Sequence, residues 1–190
     1  VSNYSAFSSD GHRATWTAID PTGRSVATET LTITWENEGW TANGVVGREQ
    51  VQYVIRLSAT WQVRQFLLFR DLDEPDLWLA TDGGGRWGEM NGAHRLELDG
   101  CTDLEMAVTP FSASLPIRRL PLEVGHTAEI AVAVIDVDTL DVQMAHRRYT
   151  RLDVRRWSVA SPEHPFAAEF DVDEFGLVLD HPAGFRRSLA

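Results

Sequence analysis

The residues best placed to do chemistry in this 190-residue chain are two carboxylates, Asp103 and Glu105, and two arginines downstream, Arg118 and Arg119. In an extended segment Asp103 and Glu105 share one face, and Leu104, Met106 and Val108 take the other. Carboxylates accept the protons of sugar hydroxyls, and arginine forks onto planar anions, so such a cluster can orient a hydroxyl-rich head group. Two carboxylates on one strand face, ~6–7 Å apart at Cα, also permit acid–base chemistry on a small carbohydrate-like or acyl substrate. The same pattern equally suits a solvent-facing strand with an ordinary ion pair. In Leu115-Pro116-Ile117-Arg118-Arg119-Leu120-Pro121, an extended chain would send the two arginines to opposite faces, so at most one would enter a common site. The prolines cannot donate to a central ladder, and the segment reads as an edge, a bend or a crossover.

Other reactive constellations are missing. There is no Gly-x-Ser-x-Gly, His-Glu-x-x-His or Gly-x-Gly-x-x-Gly pattern. The glycine run 82–87 is followed by no helix and reads as a hairpin turn. All 17 basic residues are arginine, which excludes Schiff-base and P-loop lysine chemistry. None of the six histidines pairs with another at metal-ligand spacing, and His164 and His181 precede prolines in expected solvated loops. Cys101 reads as a small buried hydrophobe rather than a nucleophile. No metal and no cofactor is implied, and a binding role is expected over a catalytic one. Seven tryptophans are many for this length. Several must be core, and Trp61 and Trp87 are candidates for a cavity rim.

The elements that must position these residues are strands. Alternation runs through 30–35, 53–61, 101–109 and 166–173, and 130–137 is apolar enough to be a strand buried on both faces. Turn chemistry stands at 20–23, 42–44, 82–85, 90–92 and 99–100. Short helices are expected at most near 71–76 or 161–165. Tyr53 and Trp61 are eight apart, as are Tyr149 and Trp157, a spacing that chance alternation also produces but that allows an internal duplication of two β halves. The expected fold is all-β: one domain over residues 1–190, a strongly curved, barrel-like antiparallel sheet with few short helices.

A formal charge of −11 argues against nucleic acid and anionic membrane surfaces as partners. No apolar run reaches the ~20 residues of a membrane span. One cysteine and no visible signal peptide point to a cytoplasmic protein. The oligomeric state is not legible.

The run 99–120, Asp-Gly-Cys-Thr-Asp-Leu-Glu-Met-Ala-Val-Thr-Pro-Phe-Ser-Ala-Ser-Leu-Pro-Ile-Arg-Arg-Leu, closely resembles the central motif of a bacterial family named for glycolipid binding. The stretch from Tyr53 to Arg64, with its Trp-x-x-Arg, and the closing Gly-Leu-Val … Pro-x-Gly-Phe-Arg segment resemble it too. The chain departs from the pattern at Glu105, at Ser112-Ala113-Ser114 and at His181. The resemblance implies a curved sheet similar to periplasmic lipoprotein carriers, holding a glycolipid or other amphipathic small molecule in an apolar concavity. On this reading Trp61, Arg64, Trp87, Asp103, Thr109, Phe111, Arg118 and Arg119 are the ligand-binding residues, with Arg118 or Arg119, Asp103 and Thr109 at the head group. A scaffold domain with a filled core stays open as an alternative.

Overall fold

The computed structural model describes residues 4–47, 50–70 and 74–188. Strands run in chain order as β1 (His12–Ile19), β2 (Ser25–Glu36), β3 (Gly39–Val46), β4 (Val51–Ser58), β5 (Val63–Phe69), β6 (Leu77–Thr81), β7 (Trp87–Glu89) and β8 (Cys101–Met106). After the helix α1 (Phe111–Arg119) come β9 (Thr127–Ile135), β10 (Val142–Arg151), β11 (Arg156–Ala160), β12 (Ala167–Asp171) and β13 (Phe185–Ser188). They form an eight-stranded antiparallel sheet, β13-β1-β2-β3-β4-β5-β6-β7, and a five-stranded sheet, β12-β11-β10-β9-β8. The fold is therefore mostly β, as expected, but the sheets do not close into a barrel. The β8–β9 pair is parallel, because α1 carries the chain back across the sheet between them.

The inner face of the large sheet is one apolar surface. Trp16, Leu31, Ile33, Tyr53, Ile55, Phe66, Leu68, Leu79 and Trp87 pack with Leu104 and Met106 of β8 and with Phe111 and Leu115 of α1. The concave wall expected to hold a ligand tail is thus occupied by the chain itself. The small sheet buries its other face under the opposite side of α1, where Ile117 meets Tyr149, Trp157, Val159 and Phe170. Strand β9 lies between these layers, with Val132 and Ala133, on opposite faces, both buried.

Residues 111–119 are helical, not extended. Phe111 and Leu115, four apart, face one core, and Ala113, Ile117 and Leu120 face the other. Pro116 is tolerated within the helix because burial on two sides outweighs one lost hydrogen bond. Leu120 N–H closes the last turn on the Pro116 carbonyl, and Leu120 turns extended before Pro121. Residues 161–165 and 74–76 form no helix, and 71–73 lie outside the described residues. The two Tyr–Trp spacings mark unlike places. Trp61 sits at positive φ in the β4–β5 turn, whereas Trp157 lies inside β11.

Residues 42–44 are not a turn but the middle of β3. The hairpin turn lies at Asn37 and Glu38, both at positive φ. Gly44 is glycine for another reason: the Tyr53 ring lies over it, and a Cβ there would stand 2.0 Å from the ring. Gly44→Ala is therefore expected to lower stability by about 1–3 kcal/mol through overpacking, read as a fall in the urea midpoint.

Candidate functional site

The glycine at position 44 lets the Tyr53 hydroxyl cross β3 and reach Glu29 on β2. That hydroxyl donates to Glu29 Oε1 at 2.5 Å, and Thr109 Oγ1 donates to the same oxygen at 2.6 Å. Thr109 Oγ1 also accepts the Phe111 N–H at 3.0 Å, so the group ties the start of α1 to the large sheet. Glu29 is 2% exposed, and its Oε2 has no partner among the described residues. Burial pushes its carboxyl up to about 7 against the pull of the two hydroxyls.

Asp103 and Glu105 do share a face of β8, as expected. Each faces an arginine. Arg119 grips Asp103 with two nitrogens, Nη2 at 2.5 Å and Nε at 3.2 Å. Arg147 reaches across β9 to Glu105 with two bonds of 2.7 Å. Burial alone would lower the Arg147 pKa, but Glu105 outweighs it and raises it. Arg118 goes elsewhere. One helical step from Arg119, its guanidinium lies 4.4 Å from the Phe7 ring centre and 4.2 Å from that of Trp61, and it donates to the Phe175 carbonyl. Burial brings it down to about 10. A head group could reach it only by displacing those rings.

The remaining expected site residues are structural in their contacts. Trp87 is 1% exposed and gives its indole N–H to the Cys101 carbonyl, so it is core rather than rim. Trp61 is likewise buried, edge-on to Phe111. Arg64 is exposed and donates to the Asp82 carbonyl across Gly83, whose missing Cβ leaves room for the guanidinium. Cys101 is sealed in the core, where burial raises its thiol to about 11, far from a reactive thiolate.

The open space lies on the other side of α1. A pocket of ≈ 190 Å³ is walled by Met106, Pro110, Ala113, Val159, Phe166 and Phe185. Glu105, Thr109, Tyr149 and His181 also line it. Glu105 and Ala107 are shared with a wider groove of ≈ 500 Å³, lined by apolar Val134, Val137 and Met144 as well as by Asp136, Asp138, Asp141, Arg147 and Glu163. An apolar recess thus stands beside a groove of mixed lining with acidic side chains along it, and the two share Glu105 and Ala107 in their walls. Thr109 is the one residue of the expected set that lines the recess.

His181 is half-buried between Phe170, 4.9 Å away, and Phe185. Burial lowers its pKa while Glu105 pulls the other way. Tyr149 is 3% exposed, and burial, then Glu105, raises its phenol well above the ordinary value. Sequence reasoning missed Glu29, Tyr149, His181 and Arg147 as site residues. They stand on strands or loops far from the 99–120 motif, and only Glu29, an acid on the same face as Leu31 and Ile33 in an alternating strand, carries a local hint.

The architecture defines an open, two-sheet β protein with an amphipathic recess beside its helix. The chain belongs to the family described as "Putative glycolipid-binding", whose model matches residues 13–187. It is also similar to a DUF1089 family protein from Pseudomonas aeruginosa, known from a crystal structure at 1.80 Å. The two share 27% identity and a TM-score of 0.70, over 99% of this chain and 97% of that one. No curated protein matches the sequence. Among the described residues no helix is long and apolar enough to cross a membrane.

Proposed function

We propose that the protein binds an amphipathic small molecule, such as a glycolipid, without transforming it. The apolar end enters the recess beside α1 and the polar end lies in the groove. The carrying observation is a ≈ 190 Å³ apolar recess that shares the wall residues Glu105 and Ala107 with a ≈ 500 Å³ groove bearing Asp136, Asp138, Asp141 and Glu163. The family description supports the same reading. An apolar cavity of about 150 Å³ holds a benzene-sized guest, so the recess suits a ring or a chain of about six carbons rather than whole lipid tails. Each buried methylene contributes ~0.8 kcal/mol, before the cost of association. The acid–base alternative loses ground because both oxygens of Asp103 and of Glu105 are engaged by an arginine, Arg119 and Arg147, and neither carboxylate is free to meet a substrate.

Calorimetric titration with hexyl glucoside tests the reading. Saturable binding at one site is expected, and Ala113→Phe, which puts a ring into the recess, should weaken it at least tenfold while the circular dichroism spectrum stays unchanged. Failure of the unaltered protein to bind any short-chain glycoside would overturn it.

A further inference from the structure

We infer that the recess reads a carbonyl oxygen, so the apolar end it takes is an acyl group joined through an ester or amide rather than a plain alkyl chain. This rests on the amphipathic reading and names the linkage of its ligand. The polar atoms of the wall carry the inference. Thr109 Oγ1 is committed to Glu29, and Ser112 Oγ to the carbonyls of Met106 and Thr109. Glu105 carries two bonds from Arg147 and can only accept.

Two donors are left. The Tyr149 hydroxyl has no hydrogen-bond partner among the described residues, although the residue is 3% exposed. Unlike Glu29 Oε2, it is not among the sealed polar atoms, and Tyr149 is one of the residues that line this recess. The second donor is His181. Its Nδ1 accepts the Ala183 N–H at 3.1 Å, which places the proton of the neutral ring on Nε2. The carboxylate of Glu105 lies close enough to act on both groups. It favours the neutral phenol, which keeps its proton to donate.

Tyr149 and His181 both line one small, mostly apolar space, and a phenol O–H and an imidazole N–H offered there suit the two lone pairs of a carbonyl oxygen. A plain alkyl chain would expel water from both donors and return nothing, whereas an acyl chain pairs them. The recess therefore selects by linkage, while its volume limits chain length.

The test titrates the unaltered protein, Tyr149→Phe and His181→Phe with two probes of equal tail length, 1-O-hexanoyl glucose and hexyl glucoside. About tenfold tighter binding of the hexanoyl probe by the unaltered protein is expected. Tyr149→Phe should remove most of that preference and change hexyl glucoside affinity less than twofold. His181→Phe keeps an aromatic ring against Phe170 and Phe185 and should reduce the preference in the same way. Equal affinity for the two probes, or an equal loss of both in Tyr149→Phe, would overturn this inference alone. Binding of neither probe would overturn the amphipathic reading and this assignment with it.

Discussion

Replacing Arg119 with alanine is expected to destabilise the protein by about 3–5 kcal/mol, the cost of leaving a buried charge without its partner. Asp103 is wholly buried, and apart from Arg119 its side chain has the Thr102 hydroxyl as a partner, at 2.8 Å. Both carboxylate oxygens face Arg119, the last residue of α1. The alanine variant therefore loses the charge pair and the clasp that fixes the helix to β8. Urea unfolding measures the effect, with the slope unchanged if the denatured state is unaffected. Asp103→Asn with Arg119→Met removes both charges together and should recover most of the loss, because the desolvation cost disappears with the attraction. A single-variant loss below about 1 kcal/mol, the range of exposed pairs, would show that the carboxylate finds water or another donor.

The second large effect concerns Glu29 and pH. Its carboxyl is raised from 4.5 to about 7 in the folded protein, chiefly by burial. Between those values the native state binds more protons than the unfolded chain. The stabilising contribution is therefore whole below about pH 4.5 and is lost as pH rises through 7. At ~1.4 kcal/mol per pKa unit, the full loss is about 3 kcal/mol. Glu29→Gln cannot ionise, yet its amide oxygen can still accept from Tyr53 and Thr109. Any fixed cost of placing an NH2 where Oε2 has no partner among the described residues is independent of pH. The difference in unfolding free energy between variant and parent should thus shift by about 3 kcal/mol in the variant's favour between pH 5 and pH 8. Several surface carboxylates, among them Asp82 and Glu163, have lowered pKa values and act in the opposite sense at more acid pH. Subtracting the two curves cancels them. Parallel curves would mean that Glu29 titrates normally and that water reaches it.

The strands were legible because a half-buried sheet prints its period on the chain. Leu31 and Ile33 in β2, and Ala168, Phe170 and Val172 around β12, lie inside as the alternation requires. The apolar run of β9 reads correctly as buried on both faces, since α1 covers one and the large sheet the other. The helix was hidden. The three prolines at 110, 116 and 121 mask the i, i+4 pairs Phe111/Leu115 and Ala113/Ile117. Local propensity opposes a helix there, and packing between two cores overrides it. Gly44 misled for a related reason. Asn-Gly is a strong turn signal, but this glycine answers to a tyrosine ring nine residues away, which no local rule contains.

The carboxylate pair of β8 was visible by its spacing, and the presence of arginine partners was a fair expectation. Which arginine was not visible, because that depends on 100° of rotation between Arg118 and Arg119 along a helix and on a β10 residue, Arg147. By itself the sequence determined the β class, the shared face of Asp103 and Glu105, the inertness of Cys101 and the family, all of which depend on local period or on a contiguous motif. The tertiary structure decided that the concave wall is filled, that Trp87 is core and that the free volume lies beside α1. It also brought together Glu105, Tyr149 and His181, residues up to 76 positions apart. Which surfaces meet, and what space is left where they do not, is a property of the packed layers and is written in no single segment of the chain.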